Sequence, residues 1–275
     1  MKSQPHLTIR PSGRFERIDF KELSLYRDLF VTLGLRDVTL RYRQTALGVI
    51  WVVFQPLLAA VIFSTVFGRI AHMPSDGMNY FVYAFAGLTA WNLFNSILSR
   101  GGMSLVDNAN LVSKVYFPRI ILPFSTAFAA SLDFCVSFIV LLIIMATHRV
   151  YPTIAILTVP FWYCMIVMFA GSLALFIASV VVSYRDVQFM VPVLLPFLMY
   201  ASPVAYSISK VPHRLLSIIA LNPMVGLLEV FRWSVFGHSP VVWWHVIYSV
   251  LVTVVLLSIS MINFQRTQRR FADVI

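Results

Sequence analysis

The feature that most constrains this chain is the length of its apolar blocks. Six of them reach roughly 20 residues or more, enough for a helix rising 1.5 Å per residue to cross about 30 Å of hydrocarbon. They run approximately over Gly48–Phe67, Tyr80–Leu98, Ile120–Thr147, Pro160–Val182, Val187–Tyr206 and Val242–Asn263. A helix satisfies its own backbone hydrogen bonds, so it tolerates lipid where irregular chain does not. The 275 residues are 59% hydrophobic and only 12% charged, too apolar a balance for one soluble core of this size. The expectation is an all-α integral membrane protein with six transmembrane helices.

An even number of spans puts both termini on one side, and the cations say which. Sixteen of the 21 Lys and Arg lie before the first span, between the second and third (Arg100, Lys114, Arg119), at Arg185, or after the last span. The alternate loops hold Arg69, Arg149, Lys210, Arg214 and Arg232. The positive-inside rule therefore places both ends in the cytoplasm and explains the net charge of +10. The cations border spans and form no soluble basic face, so the charge does not indicate nucleic-acid binding. No secretory signal precedes the first span, and residues 1–22 read as a flexible cytoplasmic tail before a single membrane domain at 23–275. Cys135 and Cys164 lie inside spans, where packing is the expected role.

Three segments do not cross. Over 23–43, Leu23, Tyr26, Phe30 and Leu33 recur at spacings of three and four, with Arg27, Asp28, Arg36 and Asp37 on other faces. This is an amphipathic helix, lying either in the membrane surface or on the protein's own cytoplasmic face. The loop 101–118 is expected to hold one short helix, with Asp107, Asn108 and Asn110 as helix-start residues and Leu111, Val112 and Val115 as a small apolar face for docking. The connection 207–240 is too apolar for a solvated loop. Its two pieces, Pro212–Leu221 and Met224–Phe236, are each too short to span and are split by Asn222-Pro223. That pattern predicts two re-entrant half-helices, an arrangement that survives at membrane depth only beside protein or a water-filled path.

Catalytic chemistry is poorly provided for. The six His are scattered, no HExxH or Cys/His metal spacing occurs, and His72 and Asp76 form only a loose pair. No GxxxxGK[ST] phosphate cradle is present, so the chain lacks the P-loop route to ATP hydrolysis. Asp133 is an acid deep in a span, costly unless protonated, paired or wet, and reads either as functional or as an interhelix hydrogen-bonding group. Asn92, Asn95, Ser96 and Ser99 share one helical face, either as polar glue or as a channel lining. Pro192, Pro196 and Pro203 bend or loosen the fifth span. Glu229 and Arg232, three apart, suggest a local ion pair at a gate. Trp51, Trp91, Trp233, Trp243 and Trp244 sit near expected membrane boundaries as an aromatic belt.

Three motifs in order, RYRQTALGVIWVVFQPLL at 41–58, NLVSKVYFPRIILP at 110–123 and LNPMVGLLEVFRWSVFG at 221–237, resemble the permease subunits of type-2 ABC exporters for polysaccharides such as O-antigen, capsule and teichoic acid. The likeness runs from about residue 25 to the end. It implies a non-catalytic permease in the bacterial inner membrane, acting as a homodimer with two copies of a separate ATPase that uses ATP and Mg. It further implies an interface helix at 23–43, an ATPase-coupling helix at 104–116 (Asp107, Asn108, Asn110, Leu111, Lys114) and an outward gate at 212–236. The substrate would be a lipid-linked glycan, with Arg41 and Arg43 meeting its diphosphate through their planar guanidinium forks. Exporters of drugs or lipids, and integral membrane glycosyl- or acyltransferases, are the alternatives. Nothing in the residues encodes the identity of the glycan.

Overall fold

The computed structural model describes residues 24–42, 50–208 and 211–268, and among these every regular element is helical. They are α1 (Arg27–Tyr42), α2 (Ile50–Phe63) continued by a π-helical segment (Ser64–Ile70), α3 (Tyr80–Asp107), α4 (Ala109–Lys114), α5 (Ile121–Thr147), a 3-10 turn (Ile154–Thr158) leading into α6 (Val159–Val181), α7 (Val187–Tyr200), α8 (His213–Ile219), α9 (Met224–Phe236) and α10 (Trp243–Thr267). The tail at 1–22 and Arg43 lie outside the described residues.

Five of these helices are long and apolar enough to cross a bilayer: Ile50–Ile70, Tyr80–Asp107, Ile121–Thr147, Ile154–Val181 and Trp243–Thr267. The block expected to be the fifth span, 187–206, is helical only over its first 14 residues, about 21 Å of rise. Pro203 biases Ser202 out of the helical region, and the chain leaves the helix there. The second span is correspondingly longer than expected. Its helix runs on to Asp107, so much of the loop expected from Gly101 is helix, and Asp107 ends an element instead of starting one.

The least apolar of the five, α3, is the centre of the bundle. Every residue from Val82 to Trp91 is buried, because α5, α6, α7 and α9 pack around it. A helix enclosed by protein can carry polar residues that hydrocarbon would reject. Small side chains let the backbones approach. Ala170, Ala174 and Ala178 recur every fourth residue on α6 and are buried, and a Cβ added at Gly101 of α3 would lie 2.8 Å from that of Ala174. By contrast α2, α7 and α10 turn much of their apolar surface outward, Trp51, Phe54, Phe197 and Leu251 among them. Cys135 and Cys164 also face outward, so core packing is not their role. Trp91 is buried in the core instead of joining an interfacial belt.

At one end of the bundle a second apolar cluster joins Leu33 of α1, Leu105 of α3, Val112 of α4 and Phe264 of α10. Tyr26, Leu29 and Phe30 pack against it, so the amphipathic stripe of α1 lies on the protein's own surface, chiefly against α5. Arg119 donates to the carbonyl of Gln268 at the same end. At the opposite end α9 is almost wholly enclosed, from Met224 to Phe236. Gly226 makes that possible: a Cβ there would meet the carbonyl oxygen of His245 at 2.4 Å and Ser249 Oγ at 2.5 Å. Gly237 ends α9 in the left-handed region at φ 79°, with Thr153 filling the space a side chain would need.

Replacing Gly226 by Ala must therefore push α9 off α10, at a cost of about 1–3 kcal/mol. Gly171→Ala, where the nearest atom to the new Cβ is 3.5 Å away, changes stability by less than about 0.5 kcal/mol. Unfolding midpoints of the two variants in nanodiscs check this difference.

Candidate functional site

Asn92, Asn95, Ser96 and Ser99 project from one face of α3 because positions three, four and seven apart share a helical face. They open into a cleft of about 390 Å³ between α2, α3 and α5. Trp51 and Gln55 close it from α2, Asp133 and Ser137 from α5, and Arg100 lies among its lining residues. Asp133 is half-buried here, so the acid that looked anomalous in an apolar span faces a polar cavity and not lipid. The amides and hydroxyls offer donors and acceptors in comparable number, a lining suited to neutral, hydroxyl-rich molecules. Trp51 presents a partly exposed ring in T-shaped contact with Phe54 at 5.6 Å.

The second polar group lies at the end of the bundle where α9 is buried. Arg232 is fully enclosed and donates through Nη1 to the carbonyl of Pro203 (2.7 Å) and through Nη2 to that of Val204 (2.5 Å). Its guanidinium carbon sits 3.9 Å from the centre of the Tyr83 ring, a cation–π contact. The next two carbonyls are also taken: Tyr80 donates to Ala205, and Tyr83 to Tyr206 at 3.1 Å. A Cβ on Gly87 would strike the guanidinium at 2.3 Å, so only glycine fits beneath it. Asn222 donates to Ser202 Oγ (2.8 Å) while its own oxygen accepts from the backbone N–H of Met224 (3.0 Å), capping α9 beside Pro223.

The expected Glu229–Arg232 ion pair is not formed. Glu229 Oε2 instead meets His245 Nδ1 of α10 at 3.1 Å, both groups buried. Two positions three apart on a helix are neighbours, but α10 and the 203–206 turn lie on different sides of α9 and draw the two charges apart. The cavity left at this junction is only about 10 Å³, room for one water at most. It is a fastening with no room for a ligand, unlike the α3 cleft.

At the end bearing α1 and α4, Arg36 donates to Asn108 Oδ1 (2.7 Å) and to Asp37 (3.2 Å), and Asn108 donates on to the Ser104 carbonyl (2.8 Å). Asn108 is thus the joint between α3 and α4. Leu111 and Val112 turn inward onto the apolar cluster and do not form a docking face; the exposed residues around α4 are Asp107, Asn110, Ser113, Lys114, Val115 and Tyr116. Arg41 is in the last turn of α1, and its side chain lies outside what the structure describes, as does all of Arg43. Reasoning from sequence missed His245, Tyr83 and Arg36 as partners. No local pattern points to these pairings, because the partners of His245, Tyr83 and Arg36 lie 16, 123 and 72 positions away.

The family model described as ABC-2 type transporter matches residues 28–236, and the chain belongs to that family. It is 28% identical over 255 residues to the O-antigen export system permease protein RfbA of Myxococcus xanthus, covering 92% of this chain and 97% of that one. A permease of the same name from Klebsiella pneumoniae is 23% identical over 90% of this chain and 95% of its own length. The polysialic acid transport protein KpsM of Escherichia coli is 25% identical over 74% of this chain and 79% of its own.

Arg232→Leu leaves the buried carbonyls of Pro203 and Val204 without their donor and is expected to cost about 3–5 kcal/mol. Tyr83→Phe, which removes one neutral donor, costs about 1–3 kcal/mol. Because the two charges have different partners, exchanging them as Glu229→Arg with Arg232→Glu does not restore the midpoint lost in Arg232→Glu, which thermal unfolding in nanodiscs reads directly.

Proposed function

We propose that this chain is one of two identical halves of a channel through which a separate ATPase drives a lipid-linked polysaccharide, of the O-antigen class, across the bacterial inner membrane. The observation that carries the reading is the cleft of Asn92, Asn95, Ser96, Ser99 and Asp133 at mid-span depth. A lining of amides and hydroxyls can exchange hydrogen bonds with successive sugars without holding any of them tightly, which suits a conduit. The printed names of the relatives, O-antigen export permeases and polysialic acid transport proteins, support the substrate class.

Six crossings are supported by parity. The start of the bundle at α1 and the end of α10 share one apolar cluster, which supports an even number of traverses between them. With five long helices, the sixth traverse falls to α7 and the buried turn that follows it. The cation bias would then put that shared end, and both termini, in the cytoplasm. α8 and α9, broken at Asn222-Pro223, would be the re-entrant gate on the far side.

ATP and Mg act on the partner subunit, which would dock on the exposed edge of α4 around Asn110 and Lys114. Arg36 ties that edge to α1, so a push on α4 would reach the helix that carries Arg41 and, just beyond it, Arg43. Those two arginines would hold the lipid's diphosphate at the cytoplasmic entrance. The second copy would close the cleft from the side where α2 is exposed. Drug exporters of the same architecture would favour an apolar lining, which these residues do not provide.

Deleting the chain in its host should abolish surface polysaccharide and leave lipid-linked glycan inside the cell; unchanged surface polysaccharide would refute the reading. In vesicles containing the chain and its ATPase, replacing Asn92 and Asn95 together by Leu should lower glycan export roughly tenfold, about 1.4 kcal/mol of lost stabilisation, with ATP hydrolysis retained. Arg36→Ala should likewise lower glycan moved per ATP hydrolysed, read as exported glycan against released phosphate in the same vesicles.

A further inference from the structure

At the end opposite α1 and α4 lies a cleft of about 400 Å³ that the conduit does not use and that shares Tyr80 with the fastening. It is formed where the π-helical segment, the start of α3 and the end of α5 meet. Its polar groups are mostly donors. Arg69 is exposed and forms no ion pair among the described residues. Asn79 uses its oxygen to accept from the Phe81 N–H, which leaves its amide N–H groups available. His148 donates through Nδ1 to the Ile144 carbonyl (3.0 Å), with the Thr147 hydroxyl 3.2 Å from the same nitrogen, and its ring forms one wall of the cleft. No carboxylate is among the lining residues.

The backbone here departs from α geometry. Ala71 N–H bonds the Val66 carbonyl five residues back (2.9 Å), and Gly68 lets Tyr80 approach to 2.9 Å from where a Cβ would be. The wider turn changes the direction in which Arg69 leaves the helix, and π-helical insertions are uncommon outside functional or packing constraints. One turn and two turns before Arg69, Thr65 and Val61 are exposed on the lining of the same cleft, toward the bilayer interior. They form a track about 10–12 Å long leading down from the cationic head.

We propose that this cleft binds the phosphate or diphosphate headgroup of a lipid in the leaflet at this end of the bundle, with the lipid's chain lying along Thr65 and Val61. A cationic guanidinium beside the free amide N–H groups of Asn79, with no carboxylate in the lining, favours an anion, and the guanidinium fork suits phosphate oxygens in particular. The apolar track favours a lipid over a free anion. On the reading given under Proposed function, this end is outward, and the cleft receives the headgroup of the exported lipid-linked chain after it has crossed. Anion binding itself does not depend on that reading.

The test uses the full chain with its ATPase in phosphatidylcholine nanodiscs doped with a photoreactive polyprenyl diphosphate, the labelled peptides being read by mass spectrometry. Labelling is expected on 61–81 and on the peptide holding His148. Arg69→Glu should lower it about tenfold while Arg69→Lys retains most of it, as charge-assisted contact to phosphate requires. Arg214→Glu, a reversal at the same end but outside the cleft, should leave it unchanged. Labelling of 61–81 that is equal in Arg69→Glu and the unmodified chain overturns the site. Displacement by inorganic diphosphate as effective as by unlabelled lipid overturns the lipid and leaves a free-anion site. Glycan export by the complex is scored separately, so failure of export with labelling intact would count against the export reading and not against this site.

Discussion

The structure depends on how four consecutive backbone carbonyls, Pro203 to Tyr206, are satisfied after α7 stops short. Chain that is not helical cannot leave these groups unpaired away from water, since each would cost several kcal/mol. Arg232, Tyr80 and Tyr83 supply the donors, and they come from α9 and from the first turn of α3. A short helix, a buried turn and a broken pair of half-helices are therefore held on the central helix of the bundle. The guanidinium suits this position because its fork reaches two oxygens while its face rests on the Tyr83 ring.

The same helix carries the polar cleft further along its length. Enclosure on most of its circumference is what allows α3 to hold Asn92, Asn95, Ser96 and Ser99 on the one face left open. Asp133 then gains a polar neighbourhood from across the gap. The fastening at one end, the cleft in the middle and the Asn108 joint at the other are strung along a single 28-residue helix. Movement of α4 at that joint thus has a rigid element through which to act on the cleft.

Much of the fold was legible from sequence because span length and cation placement act locally. The break at Asn222-Pro223, the helix over 24–42 and the short helix after Asn108 were likewise readable from proline and polar-residue positions. The fifth block was not, because its helix ends where Arg232 and the tyrosines capture the backbone, and no local pattern announces a partner from another helix. Glu229 was misread for the same reason: the i, i+3 spacing pointed to Arg232, while the pair that forms joins it to His245 across two elements. Leu111 reads as a docking residue until the apolar cluster that covers it is assembled from α1, α3 and α10. The asparagine and serine face of α3 was visible from spacing alone; that it meets Asp133 and Trp51 in one cavity required the packing of three helices.

The central claim is that glycan passes along the α3 cleft, and thiol blockade within it is the most direct measurement. With Cys135 and Cys164 replaced by Ala, a single cysteine at Asn95 would be compared with one at Val193, which faces outward on α7. In vesicles holding the chain and its ATPase, a bulky thiol reagent should stop ATP-driven export of lipid-linked glycan for Asn95→Cys and leave Val193→Cys active. Undiminished export after full modification of Asn95→Cys would contradict the account.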